Sequence, residues 1–392
     1  MMSPQESFPE ATSESKQPRG MRVFIIGSEA AGYLRFRIEC CESFRGELLN
    51  GGEGDSHVDR TGLLLWPGSF LLCAYLLSRR KVLVETSVIQ HVVELGAGST
   101  GLAGLLLSHL SLPSNPFGPK NPARRRITLT DGDLESVTLL QCNARNHHRE
   151  ADITLCSSKF VDFSAALTAE LAVMRLRWGN REEASSLVRG EEPPVSLIIG
   201  SDILYPSISQ DNIRQLLQCV RVLLLSRNGK EKTTVGAAKV RPSKEPQPRG
   251  RFVLSFIDRD NKATLRNFVN TLRIENYEVE DVIDGTSLLV EGDEKISVEE
   301  EEEVEERDSE AIQKDMGLSE HTRRRTVPMM MGGVVMVLRP LTGDVIGGEG
   351  VGTAEHGPSW ADRWFRDLWE EAPPCEVEEW EPPLLTDEAH GD

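Results

Sequence analysis

Apolar and polar positions change their rhythm several times along this chain. The first stretch, "MMSPQESFPEATSESKQPRG", is polar throughout, and residues 1–20 are expected to be a disordered tail. Residues 21–60 alternate, and "RVFIIG" and "YLRFRIEC" read as the strands of a small N-terminal β-hairpin region. The stretch "TGLLLWPGSFLLCAYLLSRR" carries a Pro-Gly break after Trp66, followed by an apolar helix running to about Leu77. From His91 the pattern becomes strand, helix, strand. "HVVELGAG" is a strand, Thr100 to Leu110 a helix, "RRITLTD" a strand, Leu134 to about Asn146 a helix, and "DITLCSSKF" a strand. "VSLIIGSDILY" is the continuous apolar run of a strand buried on both faces. A helix from Ile208 to Leu225, the strand "RFVLSFIDR", a helix from Lys262 to Leu272 and the strands "YEVEDVID" and "VVMVLRP" complete the set. This alternation predicts an α/β fold with a mainly parallel sheet covered on both faces, its last strands joined as an antiparallel pair.

Three segments break the rhythm. "SLPSNPFGPKNPARRR" and "RNGKEKTTVGAAKVRPSKEPQPRG" read as surface insertions. The acidic stretch within about residues 285–327 reads as a disordered insertion, with an arm for a basic partner as the sharper alternative. Beyond it, residues 341–392 form a Gly-rich tail in which Trp360, Trp364, Phe365, Leu368 and Trp369 fall on one helical face. The domain proper is therefore residues 61–340.

Charge narrows the partners. Asp and Glu number 62 against 44 Lys and Arg, a net −18, so nucleic acid held by charge is disfavoured and a basic protein is favoured. Seven cysteines without paired spacing suggest reduced thiols. With no apolar leader and no run of about 20 apolar residues, the expectation is a cytoplasmic or nuclear protein with no membrane partner.

The candidate chemistry centres on "VVELGAGSTG", where Gly96, Gly98 and Gly101 open directly into a helix. A dinucleotide loop would carry its acid about 20 residues further on. Here Glu94 stands immediately before the glycines, and Asp131 ends the next strand. An acid in that place suits a ligand with a cationic amino-acid end, and a carboxylate can take both hydroxyls of a ribose. S-adenosylmethionine is that ligand, so methyl transfer is preferred to hydride transfer. Asp133 is placed to cap the following helix, and His147 and His148, at that helix's end, are expected to face solvent or its negative end. Asp202 and Tyr205 end a central strand, where open α/β sheets place their chemistry. No residues show metal-ligand spacing.

These motifs resemble the seven-β-strand methyltransferases of family 16, many of them small protein-lysine methyltransferases. The likeness runs from about Leu63 to Arg259 through "LWPGSFLLCAYLL", "VVELGAGSTGLAG", "LTDGDLESVTLLQCNARNH", "LRWG" and "SDILY". It implies a Rossmann-like class I fold with seven strands. It also implies that Trp66 packs on the cofactor, that Gly96, Ala97 and Gly98 line its methionine end, and that Asp131 holds the ribose. Trp178 would lie beside the adenine and Ser201 below the transferred methyl. Asp202 would orient the acceptor amine, and Tyr205 would shape its slot. The alternatives are transfer to arginine, histidine or a small amine, and a non-catalytic binding protein on the same fold.

Overall fold

The computed structural model describes residues 19–28, 32–41, 61–80, 89–110, 125–150, 169–188, 193–206, 208–225, 250–260, 262–288, 296–302, 323–326 and 333–341. Its strands are β1 (Arg19–Ser28), β2 (Gly32–Cys41), β3 (His91–Leu95), β4 (Arg125–Asp131), β5 (Ala169–Arg175), β6 (Val195–Ser201), β7 (Arg251–Ile257), β8 (Tyr277–Asp284), β9 (Ile296–Glu302), β10 (Arg323–Thr326) and β11 (Gly333–Pro340). The helices are α1 (Pro67–Ser78), α2 (Leu102–His109), α3 (Leu134–Glu150), α4 (Arg181–Leu187), α5 (Gln210–Leu225), α6 (Ala263–Ile274) and a single turn α7 (Gly285–Leu288).

Seven strands form one sheet in the order β5-β4-β3-β6-β7-β11-β8. Strands β3 to β7 pair in parallel, whereas β11 runs antiparallel to both β7 and β8. The expected fold is therefore observed. All five residues of β3 are buried, and β6 is nearly so, as continuous apolar runs require at the centre of such a sheet. The strand order reverses between β3 and β6, which opens a crevice at the carboxyl ends of these strands.

Helix α1 is apolar on every side, and Gly68 to Leu77 are all buried. A helix of that composition must be covered all round. It packs against β7, β11 and β9, and its Phe70 ring meets Phe24 of β1 at 5.4 Å between centroids. Burying one phenylalanine side chain stabilises a fold by roughly 2 kcal/mol.

The N-terminal hairpin belongs to a second, antiparallel sheet of order β10-β9-β1-β2. This corrects the expectation of a disordered acidic insertion, because two of its strands come from that stretch. Glu299 to Glu302 of β9 lie in register with Thr326 to Arg323 of β10. On its other edge β9 pairs with β1 from Ile296↔Ser28 to Glu301↔Val23, and Ile296 is buried.

The expected strand "DITLCSSKF" lies outside the described residues, and the neighbour of β4 is β5. As the sheet's edge strand, β5 is half-exposed along most of its length. His147 also departs from expectation. It is buried, stacks on Phe36 and sits 2.7 Å from His109, nitrogen to nitrogen, because α3 turns this face onto β2 and α2. The tryptophan-rich tail and both surface insertions are outside the described residues, apart from Arg125 and Arg126 in β4 and Gly250 just before β7. Among the described residues, no helix is long and apolar enough to cross a membrane.

Candidate functional site

At the end of β3 the backbone turns through Gly96, Gly98 and Gly101, with φ of 61°, 59° and 53°. L side chains rarely adopt this left-handed region. The turn is tied down by its own amides. Ala97 N–H donates to the Thr130 carbonyl at 2.9 Å, Gly98 N–H to Asp131 Oδ2 at 2.9 Å, and Ser99 N–H to the Gly62 carbonyl at 2.6 Å. A Cβ on Gly98 would lie 2.7 Å from that same Gly62 oxygen. The glycine spacing is thus required by conformation and by close approach together.

Asp131 closes β4, its Oδ2 accepting from Gly98 N–H and its Oδ1 from Asp133 N–H, both at 2.9 Å. The Gly132 amide also interacts with this carboxylate, and the residue is partly exposed. Burial pushes its pKa up, the amides of Asp133 and Gly98 pull it back, and the neighbouring Asp133 charge adds to the rise. Asp133 caps α3 as expected, accepting from Ser136 N–H at 2.7 Å.

Glu94 differs from its expected place on the cofactor. Its side chain is turned under α2, where Oε2 accepts from Gly104 N–H at 2.9 Å, and the residue is only 1% exposed. Burial raises its pKa to about 8, against the pull of that amide and with a further push from Asp131. Glu94 holds the helix to the strand from within the fold.

Asp202 is corrected in the same way. It has φ 50°, a conformation that aspartate tolerates better than most residues, and its side chain is fully buried. Oδ2 accepts from Gly68 N–H at 2.6 Å and from Arg259 Nη2 at 2.9 Å. Oδ1 accepts from Ile257 N–H at 3.1 Å and Arg259 Nη1 at 3.3 Å. Its four acceptor directions are taken, so it cannot orient an incoming amine. It ties the start of α1 to the end of β7.

The other expected residues gather along this edge. Ser201 is buried, with its hydroxyl 3.0 Å from that of Ser69 on α1. Tyr205 is half-buried, and its carbonyl accepts from Ile208 N–H at 2.9 Å. The Trp66 Nε1–H donates to the Thr61 carbonyl at 2.8 Å, and the Arg259 guanidinium lies 4.7 Å from its ring centroid. Trp178 reaches back over the glycine turn, 3.6 Å from where a Gly96 Cβ would stand.

Arg259 and Gly62 escaped the sequence reading, although an arginine two residues past a central strand is a visible signal. Among the described residues, no group of three or more metal-binding side chains is gathered.

A part-exposed carboxylate at one strand end, side-chain-free backbone beside it and an indole across the turn suit a ribose, an amino-acid end and an adenine. Set at the reversal of a sheet whose penultimate position is an antiparallel strand, they define an S-adenosylmethionine-dependent methyltransferase. Residues 54–247 match the family model described as "Lysine methyltransferase". No curated protein matches the chain. Among solved structures, a putative RNA methyltransferase from Pyrococcus horikoshii is similar at 10% identity, over 70% of this chain and 83% of that one, with a TM-score of 0.30. A ribosomal protein L11 methylase from Lactobacillus delbrueckii subsp. bulgaricus shares 13% identity over 64% and 70% of the two chains, with a TM-score of 0.26. A putative methyltransferase from Streptococcus mutans shares 11% over 67% and 48%, with a TM-score of 0.30. None of these three bears on the substrate.

Proposed function

We propose that this methyltransferase acts on a lysine side chain of a basic protein. The observation that carries the reading is the Asp131–Gly98 pairing at the sheet's reversal, within the segment that matches the lysine methyltransferase model. A net charge of −18 favours encounter with a basic chain. The described cysteines are free thiols, in keeping with a reducing cytoplasmic or nuclear setting.

In this reading Asp131 accepts the ribose hydroxyls, and Gly96, Ala97 and Gly98 present backbone to the methionine end. Trp66 and Trp178 supply aromatic faces, and Ser201 lines the floor near the methyl. When bound, S-adenosylmethionine supplies an electrophilic sulfonium methyl. Lysine must lose a proton before it attacks, and its ordinary pKa is about 10.4. With Asp202 fully engaged, the chain's contribution is a desolvated slot beside Tyr205 that favours the neutral amine and aligns it with the methyl. Such alignment contributes several kcal/mol to a displacement.

The test is transfer of isotope-labelled methyl from S-adenosylmethionine by the full chain to a panel of purified basic proteins, with the modified residue located by mass spectrometry. Label on lysine is the expected result. Label on arginine, histidine or a small amine would replace the lysine reading, and cofactor binding without transfer to any acceptor would favour a binding protein.

A further inference from the structure

The residues from Thr61 to Gly68 cross the carboxyl edge of the sheet as a strap. One end is pinned at the glycine turn, where Gly62 accepts from Ser99 N–H and packs against Ser136 and Asp131. The other end is pinned at β6 and β7, where Gly68 N–H donates to Asp202 and the Gly68 carbonyl accepts from Ser255 Oγ at 2.7 Å. Between the two pins stands Trp66. Its ring is held on one side by Arg259, whose guanidinium also pairs with both oxygens of Asp202.

One side chain therefore does two jobs that only a planar, forked cation can do at once. It lies over an indole and bridges a carboxylate through two nitrogens. A lysine ammonium would keep the charge but would give up the flat face and the fork.

We propose that Arg259 is a positioning residue for methyl transfer: by clamping Trp66 to Asp202 it fixes the strap, and with it the aromatic wall of the cofactor site. Arg259 acts through Trp66, so it matters for cofactor affinity rather than for the acceptor. The inference rests on the assignment of Trp66 to the cofactor wall, and the test separates the two.

The experiment is calorimetry of S-adenosylmethionine with the purified full chain and with Trp66→Leu, Arg259→Lys, Arg259→Leu and the Trp66→Leu/Arg259→Lys double variant. Circular dichroism and thermal unfolding of each accompany it. Arg259→Lys is expected to fold and to weaken cofactor binding roughly tenfold, through loss of the part-buried guanidinium over the ring. The double variant is expected to bind no more weakly than Trp66→Leu alone, because the arginine's effect passes through the ring. Additive losses would show that Arg259 acts independently of Trp66 and would overturn the proposal. Unchanged binding in Trp66→Leu would remove the Trp66 assignment and the clamp with it, while leaving the Asp131 site intact. If Arg259→Leu fails to fold, Arg259→Lys decides. Should Arg259→Lys also unfold, Arg259 holds the fold itself and the positioning role is overturned.

Discussion

Glu94 shows how far burial alters a single side chain. Its pKa is raised from 4.5 to about 8, so the folded state holds a proton that the unfolded chain releases. An acid with a raised folded pKa stabilises the fold at low pH, and that contribution is lost as pH climbs from about 4.5 to about 8. Glu94→Gln mimics the protonated form and keeps an acceptor for Gly104 N–H. Thermal unfolding should therefore show a flatter midpoint-against-pH profile for the variant across that window. An unchanged slope would place the titration elsewhere. The same residue marks a limit of sequence reading. The glycine spacing and Asp131 were legible because left-handed turns admit little but glycine and because Asp131 ends a strand. Glu94 and Asp202 also stand at strand ends. Which acid faces the crevice and which is drawn inside depends on amides brought from elsewhere, Gly104 for one and Gly68 and Ile257 for the other. Those contacts span up to 134 residues, and local pattern does not encode them.

At the scale of elements, α3, β2 and the glycine turn are joined through Asn143, which is 1% exposed. Its Oδ1 accepts from Glu39 N–H at 2.9 Å, and Nδ2 donates to the carbonyls of Glu39 and Ser99, both at 2.8 Å. One side-chain amide thus closes the edge of β2 and steadies the loop that begins α2. Asn143→Ala leaves these backbone groups unpaired in the interior and should cost about 2 kcal/mol in urea unfolding. A loss within ±0.5 kcal/mol, the range of an ordinary surface substitution, would contradict that role. Asp202→Ala belongs here too. It strips partners from α1, β7 and Arg259 together, and breaking a buried ion pair costs roughly 3 kcal/mol, less where one partner is part-exposed as Arg259 is. The expected phenotype is a less stable protein as well as a less active one. Helix α1 could be read from its wholly apolar pattern. Strand β5 is harder to read, because its apolar stretch, Leu171 to Met174, is short enough to suit a helix or a strand.

Across the whole molecule, two sheets share the covering of α1, and an acidic stretch supplies strands to the smaller one. Composition alone reads residues 296–302 as solvated. The register with β1 and with the arginines of β10 explains their order, since a ladder bonds backbone whatever the side chains are. Replacing residues 289–332 with a short Gly/Ser linker leaves all seven strands of the main sheet but strips β1 of a neighbour. The thermal midpoint should fall by several degrees and the open β1 edge should promote aggregation. An unchanged midpoint would detach β9 from the cooperative unit.

The proposed cofactor site depends on Asp131 at the carboxyl edge of the sheet. Its most direct test is calorimetric titration of S-adenosylmethionine into the full wild-type chain and into Asp131→Ala. The expected result is micromolar binding to the wild type, weakened roughly tenfold or more in the variant by loss of hydrogen bonds to a charged group. Equal binding by the two proteins would contradict the placement of the site, and no binding by the wild type would contradict the methyltransferase itself.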